Sequence, residues 1–173
     1  MQTAFAQSTE LHIAKSFRFL TPKESQGMAI IRAYSFDEVR EKILNNQSIS
    51  ESEVDLAIEE FKKYLSLICL GYRGIAMASK DVDEVWHTFI LFTKKYESFC
   101  NQVFGAFLHH EPSTRNCPVP VSASQKFVNA YHEVFGPIPK IWSGVAQGVG
   151  ECRSCSDTCS DGCSGSTNCQ DSE

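Results

Sequence analysis

The side chains best suited to chemistry lie in one stretch, residues 81–112. Asp83 and His87 stand four positions apart there, and the adjacent histidines His109 and His110 follow near its end. Residues at i and i+4 share one face of a helix, so a carboxylate and an imidazole at this spacing can bind one ion or pair with each other. Clusters of histidine and aspartate suit borderline metals. The stretch therefore predicts a metal site of Asp83, His87 and one or both of the later histidines, with Zn²⁺ or Fe²⁺ as the ion and no organic cofactor.

The two adjacent histidines are expected to take different roles. Because consecutive side chains point apart, one would bind the ion and the other would support the site or face a substrate; His110 is favoured as the ligand. A coordination position left open to water would permit hydrolytic or oxygen chemistry. The residues specify no reaction, and the sequence leaves open whether the protein is an enzyme.

A single helix, capped by Ser79 or Asp81 and ended by Gly105, is predicted to hold the aspartate and the first histidine. At about 100° per residue, its apolar residues share one broad arc. They are Val82, Val85, Trp86, Phe89, Phe92, Tyr96, Phe99, Cys100, Val103 and Phe104. The arc predicts that Trp86 is buried and that Cys100 is a small buried hydrophobe rather than a nucleophile.

Three further helices complete the predicted bundle. One begins at Ser35, a longer one at Ser50, and the last runs from Ser122 or Ser124 to Phe135. The second of these has apolar residues three and four apart, the pattern of a helix that faces a core: Val54, Ile58, Phe61, Leu65 and Ile68. Its charged residues are predicted to form a solvated face; they are Glu59, Glu60, Lys62 and Lys63.

The chain is predicted to form one small all-α domain, an irregular helical bundle, because 173 residues suit one domain plus tails. The bundle is placed at residues 35–145. Residues 1–34 carry short apolar groups without periodicity, which predicts an irregular arm packed on the bundle. Trp142 is expected to fold back as an anchor. Residues 146–173 form an acidic, cysteine-rich tail.

Five of the eight cysteines lie in this tail, spaced C-x2-C-x3-C-x3-C-x5-C: Cys152, Cys155, Cys159, Cys163 and Cys169. From residue 151 onward the tail has no other apolar residue, so it is predicted to be disordered by itself. Three interpretations of the thiols stay open: free or oxidised cysteines, a second metal site, or a site of enzymatic modification.

Charge and hydropathy exclude two classes of partner. The net charge is −5, and residues 150–173 hold most of it, with five acidic residues and one arginine. No basic stripe of the kind that binds nucleic acid is present, and no apolar run approaches the length of a membrane span. The N-terminus lacks the features of a secretory signal. We therefore expect a cytoplasmic protein with an unknown protein or small-molecule partner.

The central stretch resembles the glycine-rich domain-containing protein family, and more closely its short bacterial members. The resemblance covers about residues 35–145 and is carried by Asp83-x-x-Trp86-His87, Ile90-Leu91, Thr93, Tyr96, Phe99-Cys100, Phe104-Gly105 and His109-His110-x-Pro112. Many members of that family have a second histidine two positions after the first, where this chain has Phe89. The resemblance implies a domain and not a reaction.

Three functions therefore remain open from the sequence. The first is a metal-binding helical domain. The second is a non-enzymatic protein-interaction module, in which Asp83 and His87 pair only to fix the loop of His109 and His110. The third is a thiol or metal-storage role of the tail.

Overall fold

A computed structural model of the chain describes residues 19–110 and 120–142, and these contain six α-helices and a short 3₁₀-helix but no β-strand. The elements are α1 (Pro22–Ala33), α2 (Asp37–Asn46), α3 (Glu51–Cys69), α4 (Lys80–Leu91), α5 (Thr93–Val103), α6 (Val121–Phe135) and the 3₁₀-helix (Lys140–Trp142). The prediction of an all-α, irregular bundle is confirmed for this part of the chain. Among the described residues, no helix is long and apolar enough to cross a bilayer.

Helix α3 lies at the centre of the bundle, where it packs against α1, α2, α4 and α6. A helix enclosed on several sides must be apolar over a wide arc, and the buried positions of α3 extend over more than one face. They are Val54, Ala57, Ile58, Glu60, Phe61, Tyr64, Leu65, Ser66, Leu67 and Ile68. The predicted core stripe of this helix is therefore correct but too narrow.

Helix α1 replaces the irregular chain that was predicted before residue 35. Thr21 begins it with a capping box, in which the Thr21 hydroxyl accepts from the Glu24 N–H at 3.2 Å and the Glu24 carboxylate accepts from the Thr21 N–H at 2.8 Å. Pro22 occupies the first helical turn, where its missing N–H costs nothing. The prediction is wrong over Pro22–Ala33, and α1 packs on α3 and α5 as part of the bundle.

Two helices begin at other residues than predicted. Helix α2 starts at Asp37 with Phe36 at its N-cap position, and the Ser35 hydroxyl accepts from the Asp37 N–H at 3.2 Å one residue before that position. Helix α6 starts at Val121, directly after Pro120, rather than after a serine. The boundaries of the three predicted segments of the chain stay predictions.

The predicted central helix is broken at Phe92, which lies between α4 and α5 with φ −82° and ψ 56°. The break brings Tyr96 back toward Trp86, whose indole Nε1 donates a hydrogen bond to the Tyr96 hydroxyl at 2.9 Å. In one continuous helix these residues would stand about 15 Å apart along the axis. The single-helix prediction is therefore wrong, although the predicted arc remains apolar because each half keeps its own buried face.

The predicted solvated face of α3 is wrong at Glu60. Its side chain is buried, with the residue 1% exposed. Its carboxylate accepts from Tyr131 at 2.8 Å, from the Trp142 indole at 2.7 Å and from Lys63 at 2.7 Å. A buried carboxylate is tolerated when donors and a counter-charge surround it. Glu60 thereby joins α3 to α6 and to the 3₁₀-helix, and Trp142 is the anchor that the sequence predicted.

Glu60→Gln is expected to lower the free energy of unfolding by about 1.5–3 kcal/mol, because it removes the charge that Lys63 and two buried donors share. Glu59→Gln is the matched control. Glu59 pairs with Lys62 on the exposed side of the same helix, so its loss should cost less than about 1 kcal/mol. Urea unfolding of the two variants measures the difference, and equal costs would show that the Glu60 network contributes nothing.

Gly27→Ala should destabilise the bundle by about 1 kcal/mol or more, although alanine favours a helix. A Cβ at Gly27 would lie 2.5 Å from the Cys69 sulfur and 3.2 Å from the Val103 carbonyl oxygen. Unfolding of the full chain by urea measures the cost. Adding Cys69→Ala should recover part of it, and a Gly27→Ala variant of unchanged or raised stability would contradict this close packing of α1.

Candidate metal centre

Helix α4 sets the positions of Asp83 and His87. The buried Ser79 begins this helix, and its hydroxyl accepts from the Val82 N–H at 3.4 Å. Val82, Val85 and Trp86 point into the core, which turns Asp83 and His87 toward the outside. Their side chains are 30% and 47% exposed, and His87 Nε2 lies 3.7 Å from Asp83 Oδ2.

His110 reaches the same carboxylate from the segment that follows α5. Its Nε2 lies 2.7 Å from Asp83 Oδ1, and since a carboxylate only accepts, the imidazole donates this hydrogen bond. The His110 side chain is only 9% exposed. Its ring packs edge-on against the Trp86 indole, with centroids 4.3 Å apart, and lies 4.5 Å from the His87 ring.

His109 lies outside this cluster. It is exposed, and its ring packs against Phe107 with centroids 5.0 Å apart. The two adjacent histidines thus diverge, as expected, and His110 is the one beside Asp83. Which of the predicted residues bind a metal stays a prediction.

The three remaining side chains form a compact donor set. One ligand atom each from Asp83, His87 and His110 can be chosen so that all lie within 4.8 Å of one another. Two ligands of one tetrahedral zinc ion lie about 3.4 Å apart, given bonds of about 2.1 Å. His110 lies 2.7 Å from Asp83 Oδ1 and His87 lies 3.7 Å from Asp83 Oδ2, so the two histidines approach different oxygens of the carboxylate. The side chains would have to move for the set to fit one ion.

Two buried tyrosines lie against Trp86 on the core side of the helix. Burial raises the pKa of Tyr64, and the nearby Asp83 charge adds to the effect. The Tyr64 hydroxyl is hydrogen-bonded to the Ile75 carbonyl at 3.2 Å. Burial also raises the pKa of Tyr96. Both phenols therefore stay protonated near neutral pH and act as hydrogen-bond donors rather than as bases or anionic ligands.

Tyr96 is a residue of the site that the sequence analysis placed only in the core. Its hydroxyl accepts from Trp86 and donates to the carbonyl of Leu108, two residues before His110. Its position on the apolar arc gave no sign of this second role. A phenol on such an arc needs a partner for its hydroxyl, and that requirement was the available signal.

The other predicted ligands are the five tail cysteines, from Cys152 to Cys169, and they lie outside the described residues. The prediction that the tail binds metal therefore stays a prediction.

Residues 26–118 match the family model described as UCP032817-like. The match covers more than half of the chain, so the chain belongs to this family. Its name states no activity. The resemblance to the glycine-rich domain-containing protein family is therefore wrong, and no glycine-rich feature supports it. No curated protein and no solved structure matches the chain.

Cys100 should react slowly with thiol reagents in the native protein. It is buried, and burial raises the pKa of its thiol, so little thiolate is present or accessible at neutral pH. Labelling under reducing conditions, followed by peptide mass spectrometry, should modify the tail cysteines first and Cys100 only after unfolding. Rapid native labelling of Cys100 would contradict its burial and revive a nucleophilic role.

Proposed function

We propose that this protein is a metal-binding helical domain in which Asp83, His87 and His110 hold one divalent ion. The observation that carries the proposal is the convergence of two imidazoles on one carboxylate from separate parts of the chain, within 4.8 Å. His87 comes from α4 with the aspartate, whereas His110 comes from beyond α5. If Asp83 and His87 only paired with each other on the surface, nothing would require His110 to lie beside them.

The donor set favours zinc or ferrous iron. Two histidines and one carboxylate are the ligands of several zinc hydrolases and of non-haem iron(II) oxygenases, and both classes leave positions open for water or substrate. The exposed side chain of His87 leaves an approach from solvent. Zinc in such a site would acidify a bound water, and iron(II) would supply oxygen chemistry.

Binding requires one rearrangement of protons. His110 now donates Nε2–H to Asp83, and the same nitrogen can bind an ion only after it loses this proton. The imidazole would either change tautomer or coordinate as the proton leaves. Metal affinity is therefore expected to fall on acidification, as protons compete for both histidines.

The proposal predicts close to one equivalent of metal in the purified full-length protein, or its uptake on titration with Zn²⁺. A variant with serine at the five tail cysteine positions should keep this equivalent, which separates the site from any binding by the tail. Asp83→Asn, His87→Ala and His110→Ala should each weaken binding by more than the roughly 10–100-fold that a lost supporting contact costs. Elemental analysis and zinc titration measure these changes.

His109→Ala is the matched control, because it removes an identical side chain at the adjacent, exposed position and should leave affinity unchanged. Substitution by Co²⁺ adds a second readout, since nitrogen and oxygen ligands give none of the intense charge-transfer absorption of thiolates. Stoichiometric binding that survives loss of His110, or that vanishes with the tail cysteines, would refute the assignment. No metal in the body at all would favour the interaction module instead.

A further inference from the structure

The Tyr96 hydroxyl is hydrogen-bonded both to Trp86, on which the His110 ring packs, and to the segment that carries His110. Tyr96 is almost completely buried, 1% exposed. Its oxygen accepts from Trp86 Nε1 at 2.9 Å and donates to the carbonyl of Leu108. The first bond fixes the orientation of the indole, and the second fixes the chain two residues before His110.

The segment that carries His110 depends on such side-chain contacts. It leaves α5 through Gly105, whose φ of 78° is in the left-handed region that favours glycine. No main-chain to main-chain hydrogen bond joins residues 106–110 to the rest of the described chain. The contacts that hold it include the Tyr96 bond to Leu108, the ring of Phe107 against Tyr96, and His110 against Trp86 and Asp83. Leu108 also packs its side chain against the core, and its main chain contacts the Cys100 thiol.

From these contacts we infer that Tyr96 is a positioning residue for His110, holding the imidazole beside Asp83 in a pre-formed metal site. The inference rests on the proposed function and adds its supporting residue. Tyr96 acts by two routes that converge on the same ring. Through Leu108 it fixes the backbone of the loop, and through Trp86 it fixes the surface on which the His110 ring rests.

A positioning role differs from that of an ordinary buried tyrosine in what its loss would change. A tyrosine that only packs the core would alter stability and leave the orientation of His110 intact. Tyr64 provides the comparison. It is buried and also contacts the Trp86 ring, with centroids 5.6 Å apart, but its hydroxyl binds the Ile75 carbonyl and not the segment that carries His110.

The test compares Tyr96→Phe with Tyr64→Phe in the full-length protein, since each removes one buried hydroxyl. Because the His110 ring lies edge-on to Trp86, its ring protons should show a ring-current shift in NMR spectra without any added metal. Tyr96→Phe should move these resonances toward those of the exposed His109 and weaken Zn²⁺ binding by about 10–100-fold, the usual effect of a lost supporting contact. Tyr64→Phe should change neither, even where it lowers stability.

A double-mutant cycle separates positioning from a general loss of stability. On a His110→Ala background, Tyr96→Phe should cause no further loss of Zn²⁺ affinity, whereas on a His109→Ala background it should cause the full loss. Should Tyr96→Phe not fold, Trp86→Phe removes the other partner of the hydroxyl while leaving a ring against His110. Because this change alters the ring-current shift directly, its readout is Zn²⁺ affinity, which should fall on the His109→Ala background and show no further loss on the His110→Ala background.

Each result decides between the claims. Unchanged His110 resonances, unchanged affinity, or equal effects of Tyr64→Phe would overturn the positioning role. A wild-type protein that binds no Zn²⁺ would refute the proposed function, and the His110 resonances would then still show whether Tyr96 holds that ring.

Discussion

The hydrogen bond between the Trp86 indole and the Tyr96 hydroxyl is the constraint on which the candidate site depends. It exists only because the chain departs from helical geometry at Phe92, which brings α5 back against α4. The break costs backbone hydrogen bonds but creates an inner corner lined by aromatic rings. Phe89 contacts both Tyr96 and Phe99 there, with centroids 5.1 Å and 5.4 Å apart. Edge-to-face contacts of this kind stabilise a packing beyond the area that they bury.

A second polar anchor holds α6 and the 3₁₀-helix. Glu60 collects Lys63, Tyr131 and the indole of Trp142, so α6 and the 3₁₀-helix are tied to α3 by directional bonds as well as by packing. In the described residues, every fully buried side-chain nitrogen or oxygen has a hydrogen-bond partner. The indole N–H groups and the tyrosine hydroxyls thus favour this arrangement of the helices, since other arrangements would leave these donors buried without a partner.

The helical fold and most of its core could be predicted because helical periodicity is a local property. The apolar arc of the central stretch gave the correct buried positions, such as Trp86 and Cys100, even though the helix is broken between them. The break itself could not be predicted, because no glycine or proline stands at or beside Phe92. The burial of Glu60 was missed because a glutamate is usually exposed. It continues a buried line of Ala57, Tyr64 and Leu67 at spacings of three and four, and that line was the overlooked signal.

The family resemblance failed for a related reason. Several residues that carried it, including Trp86, Tyr96, Phe99 and Cys100, are buried. Buried residues at helical spacing describe how helices pack, and unrelated families can share such a pattern. The match to the UCP032817-like family covers residues 26–118, which include most of α1 and all three candidate ligands. The site therefore lies within the family's own part of the chain. Glu60 lies there too, whereas its partners Tyr131 on α6 and Trp142 lie beyond the match.

The three candidate ligands differ in how tightly their side chains are enclosed, and this difference bears on how the site would bind an ion. His110 is nearly enclosed and packed on Trp86, whereas His87 is half exposed and stands 3.7 Å from the shared carboxylate. An incoming ion would meet one fixed imidazole and one that can rotate toward it. Rigid ligands reduce the entropy lost on binding, and a mobile ligand allows the separations to adjust. The exposed ligand also marks the side from which water or a substrate would reach the ion, because the aromatic core closes the other side.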